Sequence, residues 1–193
     1  MTRQLSFARG VAAMLSAAAA ATPALAADGG ATDTDTRSFQ VIGNVPVICA
    51  GGTLSGGDGT FALGVLIDTS TGLLRNDLSA PAKILSGAFC SGRSTIEIAA
   101  TQLIAQNSTT APPAGFSNAV DFTATASGWT TTPASTATDA ATNPNAVQSR
   151  ETAFSGDIAV SLANFTTAGG NTLRPVADTS YLGSVVVTLT AAN

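Results

Sequence analysis

Apolar residues fall on every second position at Phe39, Val41, Gly43, Val45 and Val47, just ahead of Cys49. Alternation with a period of two places one set of side chains on a single face, so the pattern predicts a strand over 39–48. Pro46 has no N–H to donate, which assigns that strand to an edge or a bulge. The same period recurs at Phe61, Leu63, Val65 and Ile67. It is weaker over 82–90, where Ile84 and Phe89 are the expected core residues. It returns at Ile96 and Ile98, running on towards Leu103 and Ile104, and again at Val120, Phe122, Ala124 and Ala126. Ile158, Val160 and Leu162 give a sixth run, and Tyr181, Gly183, Val185, Val187 and Leu189 the last. Gly-rich and Asp/Ser/Thr-rich clusters such as Ser55–Gly59, Asp68–Gly72 and Ala168–Asn171 separate the runs as turns. Gly128 to Ser149 is rich in Thr, Ala, Pro and Asn and has no period, so a long exposed loop is expected over 128–149. About seven short strands without an amphipathic helix predict an all-β sandwich spanning 39–193 as a single domain.

The N-terminal residues read differently. Arg3 and Arg9 precede an apolar run from Val11 to Ala21, and Ala24-Leu25-Ala26 offers a small-residue cleavage site. Residues 1–26 are therefore expected to be a signal peptide, since the apolar run is too short to span a bilayer. Residues 27–38 are polar and are expected to form a flexible leader. The expected mature chain is exported through the inner membrane and has no membrane span. Its basic residues are outnumbered by its acidic ones, which argues against a nucleic-acid partner. In an exported chain, Cys49 and Cys90 are expected to form a disulfide.

Catalytic chemistry has little to work with. The chain has no histidine, which excludes Ser-His-Asp and Cys-His mechanisms. Zinc would have to rely on two cysteines and scattered carboxylates. Lys83 has no marked serine partner, and the Gly-rich stretch Ser55–Thr60 lacks the lysine of a phosphate-binding loop. Asp68-Thr69-Ser70 and Asp178-Thr179-Ser180 repeat one tripeptide, as the paired aspartates of aspartic proteases do. Those motifs carry glycine where serine stands here, so both aspartates are expected to cap turns instead. Asp33 and Asp35 are read as solvated leader residues rather than calcium ligands. Asn107-Ser108-Thr109 and Asn164-Phe165-Thr166 match the glycosylation sequon, a pattern common by chance in a Thr-rich chain. Trp129 is expected at the rim, closing one end of the core; its alternative role is a ligand platform beside the long loop. No catalytic residue, cofactor or metal site is expected.

Taken together, the signal peptide, the strand Val41-Ile42-Gly43-Asn44-Val45, Cys49 with a partner at Cys90, and the closing run Tyr181 to Thr190 resemble the subunits of chaperone–usher pili. The resemblance is to the spore coat protein U branch, which includes the archaic pilins. It implies an immunoglobulin-like sandwich that lacks one strand. A periplasmic chaperone fills the gap first, and the N-terminal extension of the next subunit then replaces it at an outer-membrane usher. Carried onto this chain, the resemblance makes Phe39, Val41, Gly43 and Val45 the inserted donor residues. Val185, Val187 and Leu189 become the lining of the acceptor groove. Cys49 and Cys90 become the family's disulfide. The implied function is a structural subunit of a surface fibre, supporting adhesion or biofilm formation, located in the periplasm and then at the cell surface. The alternative is a self-contained secreted module binding carbohydrate or a surface polymer, with its sandwich complete.

Overall fold

The computed structural model describes residues 36–108 and 110–192. The signal peptide, Asp33, Asp35 and Thr109 of the first sequon lie outside the described residues. The chain divides into two units, one ending at Ile42 and a compact one running from Gly43 to Asn193.

The compact unit is built from β1 (Cys49–Ala50), β2 (Thr53–Ser55), β3 (Lys83–Cys90), β4 (Ser94–Ala105), β5 (Phe116–Ser117), β6 (Ala119–Ser127), β7 (Ala134–Ala137), β8 (Val147–Arg150), β9 (Phe154–Thr167), β10 (Arg174–Pro175) and β11 (Tyr181–Ala191). There is no helix among the described residues. The architecture is an all-β, immunoglobulin-like sandwich: the alternation predicts the all-β sandwich, and the resemblance implies its immunoglobulin-like form. Hydrogen-bonded neighbours follow the order β1-β3-β9-β6-β4-β11, with β2 also on β3, β7 on β6 and β8 on β4. One layer holds β1 and β2, β3, β9 and β6. The other holds β8, β4 and β11.

β6 is the corner between the layers. Its first residues pair with the end of β4 (Leu103 with Val120, Ile104 with Ala119). Its later residues, Thr123 to Ala126, pair with β7 instead. Beyond the corner β4 and β6 diverge, and β7 and β8 take up the freed edges. The core lies between the layers, with Ile96 and Ile98 of β4, Phe122, Ala124 and Ala126 of β6, and Ile158 and Val160 of β9 all buried.

Several sequence expectations need correcting. The stretch 128–149 is not a long exposed loop, because it contains β7 and β8 and sends Trp129, Ala134 and Thr136 into the interior. Several of its polar residues bond each other and the sheet. Thr138 donates to the buried Asp121 at 2.7 Å, and Asn143 bonds both the N–H and the carbonyl of Ala137. Trp129 is not at the rim either; it is fully buried, 4.3 Å from Phe154 between ring centroids. The run 61–67 is not a strand. It makes an isolated bridge between Ile67 and Leu74, and Gly64, at φ +71°, turns the backbone out of the extended region.

The last correction concerns 39–48, where no strand forms. An extended segment becomes a strand only when a neighbouring backbone pairs with it. Here the pairing is confined to the last residues before β1. Ser91 donates its N–H to the Ile48 carbonyl and its hydroxyl to the Pro46 carbonyl, and accepts from the Ile48 N–H.

Candidate functional site

The seam between the two ends of the sheet is where the sandwich fails to close. β11 pairs with β4 from Tyr181 to Ala191, interrupted by a bulge at Gly183. Its other edge has no strand partner among the described residues. At the opposite end, β2 pairs with β3 through only Thr53, Leu54 and Ser55. Two unpaired edges thus face each other across the core, with backbone groups that a further strand could satisfy.

The inward side chains of β11 show the same incompleteness. Val185, Val187 and Leu189 pack on the core cluster yet stay only half-buried, whereas Ile96 and Ile98 on neighbouring β4 are fully covered. Val185 and Val187 line a cavity of 190 Å³ together with Leu54, Phe61, Leu85 and Val160. Leu189 lies beyond that cavity and contributes to the core alone. Further along the same strand, Tyr181 and Leu182 open onto a larger cleft of 1080 Å³, walled by Phe61–Ile67 and Arg174–Ser180. The lining is mostly apolar.

The residues expected to fill such a groove stand apart from any ladder. Phe39 is 87 % exposed, Val41 94 % and Val45 80 %. A Cβ built on Gly43 would meet nothing within 4 Å. Cys49 and Cys90 are joined as expected, across directly paired positions of β1 and β3. Leu54, Phe61, Leu85 and Val160 were not singled out from the sequence as groove residues. Only the alternation at 61–67 and 158–162 marked two of them as apolar positions of a sheet face.

The polar candidates turn out to be structural. Asp68 accepts from the Ser70 N–H at 2.8 Å and from its hydroxyl, and that hydroxyl is the main reason its pKa is lowered. Asp178 accepts from the backbone N–H groups of Ser180, Asn107 and Ser108 and from the Asn107 side chain. These donors, led by the Ser180 N–H, hold its pKa down to about 2. A carboxylate so occupied is a clamp between the end of β4 and the start of β11, not a proton acceptor for catalysis. Tyr181 donates to the Val176 carbonyl at 2.8 Å, and burial raises its pKa. Lys83 faces Asp58 at 3.8 Å and lies 5.9 Å from the Phe61 ring centroid.

The Asp178 clamp has a pH signature. Its folded pKa lies below the usual carboxylate value of about 4, so its contribution to stability is full above that value. The contribution disappears as the pH falls through about 2. Asp178→Asn is therefore expected to lower the melting temperature at pH 7. The gap from the unaltered protein should close as the pH is taken towards 2, as thermal melts in a pH series will show. A gap of constant size would mean that the carboxylate charge contributes nothing.

No family model, curated protein or solved structure matches the chain. Among the described residues, no helix is long and apolar enough to cross a membrane.

Proposed function

We propose that this chain is an exported structural subunit of a surface fibre, assembled by strand exchange between copies. The observation that carries the proposal is β11, which among the described residues is paired on one side only and turns Val185 and Val187 towards an apolar groove that no strand fills. The same chain carries Phe39, Val41 and Val45 in a segment that has no strand partner among the described residues and exposes these apolar side chains. One copy lacks a strand and the next has one to offer. Gly43 suits a shallow point of the groove, where no side chain fits.

Inserting this segment beside β11 would form a backbone ladder and bury several apolar side chains, at roughly 25 cal/mol per Å2. An unfilled groove of this kind is prone to aggregate, so the subunit needs a periplasmic chaperone to occupy it until an outer-membrane usher delivers the next copy. The fibre would serve adhesion or biofilm formation at the cell surface, and the protein would have no enzymatic role. Trp129 does not support a carbohydrate-binding alternative, because its ring is sealed in the core.

Deleting residues 27–47 is expected to reduce fibre formation to background while leaving chaperone binding intact. Electron microscopy and a pull-down on the purified chaperone read the two effects. Fibres formed by the truncated chain would end the proposal.

A further inference from the structure

Phe61 lines both cavities along β11, the larger one at Leu182 and the smaller one at Val185 and Val187. It therefore stands within what is otherwise one continuous groove. It packs against the core cluster, and Lys83, itself paired with Asp58, lies near its ring. Yet the segment that carries it forms no strand. None of the backbone N–H groups from Phe61 to Val65 donates to another described residue of the protein. The segment is flanked by Gly56 and Gly57 on one side and contains Gly64, all at positive φ with open space where a Cβ would sit. A side chain thus plugs the groove on a backbone that no ladder holds down.

We propose that residues 59–65 are a built-in strap that closes the groove in the free subunit through Phe61 and is displaced when a donor strand enters. This rests on the strand-exchange function proposed above. The strap covers apolar surface with one aromatic ring and without backbone pairing. An inserted strand would cover the same surface and also satisfy the free edge of β11, so exchange runs towards insertion. The occupant of the opened groove is residues 39–47 of a second copy, because that segment has the apolar alternation and joins no ladder among the described residues.

The test uses the full mature chain and a fluorescent peptide of residues 39–47. Phe61→Leu and Phe61→Ser are compared with the unaltered protein, the leucine variant keeping an apolar side chain in place so that the fold is retained. Peptide capture should accelerate from Phe61 to Leu to Ser, by roughly several-fold at the extreme, since Phe61 is partly buried and covering part of an aromatic ring is worth about that factor in equilibrium. In a Val187→Cys background, maleimide labelling of the new thiol should rise in the same order. Equal capture rates in all three proteins would overturn the strap while leaving strand exchange intact. Capture by none of them would overturn the strap and the strand-exchange function together.

Discussion

Trp129→Ala is expected to cost about 3–5 kcal/mol, the range for removing a large aromatic ring from a close-packed interior. The Trp129 side chain is fully buried, in one cluster with Ala134, Ile96 and Ile158. Its ring lies against Phe154 at the start of β9, and the Arg150 guanidinium sits 4.9 Å from the Phe154 ring centroid. Arg150 also donates to the Trp129 carbonyl at 2.7 Å, tying the end of β8 to the stretch that follows β6. Alanine would empty the space where β4 and β6 diverge, and three elements would lose a shared contact. A domain of this size has a total stability of about 5–15 kcal/mol, so the variant should be near its unfolding threshold. Urea unfolding followed by far-ultraviolet circular dichroism measures this, since the substitution removes the chain's one tryptophan. A loss below about 1 kcal/mol would place the ring outside the structural core. Trp129→Phe should lose less, because it keeps an aromatic ring against Phe154.

The second large effect is expected from the disulfide. The bond links residues 41 positions apart, and closing a loop of that length stabilises by about 4 kcal/mol in the chain-entropy treatment. β1 has only two residues and pairs with only two of β3, so backbone bonding alone holds it weakly. The bond and the Ser91 contacts to Pro46 and Ile48 together pin the chain where it leaves the sandwich. A Cys49→Ala, Cys90→Ala double variant should melt roughly 8–16 °C lower, at the 2–4 °C per kcal/mol usual for a domain of this length. Alanine avoids burying a hydroxyl at Cys90, whose side chain is almost fully covered. Melting under reducing conditions should reproduce the shift. If strand exchange operates, the oxidised protein should also form fibres faster, because the donor segment then leaves from a fixed point.

Five of the seven alternating runs are strands, and each of the five has a partner along most of its length. Ile96 and Ile98 are buried on β4, and Ile158 and Val160 on β9, on the face that their spacing predicts. The two runs that fail, 39–48 and 61–67, alternate just as clearly. What separates them is the absence of a neighbouring backbone, which no spacing within a segment can report. The stretch 128–149 errs in the opposite direction. Its Ala, Ser and Thr residues show no period, yet the diverging edges of β4 and β6 give Ala134–Ala137 and Val147–Arg150 a ladder to join. Strand hydrogen bonds belong to the backbone, so a segment with weak patterning can still be recruited where an edge is open.

The groove was half legible for the same reason. Val185 and Val187 stand out because they alternate on a closing strand, and they do line a cavity. Leu54 sits in a Gly-rich stretch and Phe61 on a run that looked like ordinary sheet, so neither could be assigned to the seam. Asp68 and Asp178 were legible as turn caps, because an aspartate two residues ahead of an N–H makes that bond locally. Local chemistry of this kind, the period-two faces and the cysteine pair were determined by the order of residues alone. Which apolar runs found partners, where Trp129 came to rest and which edge stayed open were decided only when the sheet folded back on itself, because pairing and burial depend on distant segments meeting.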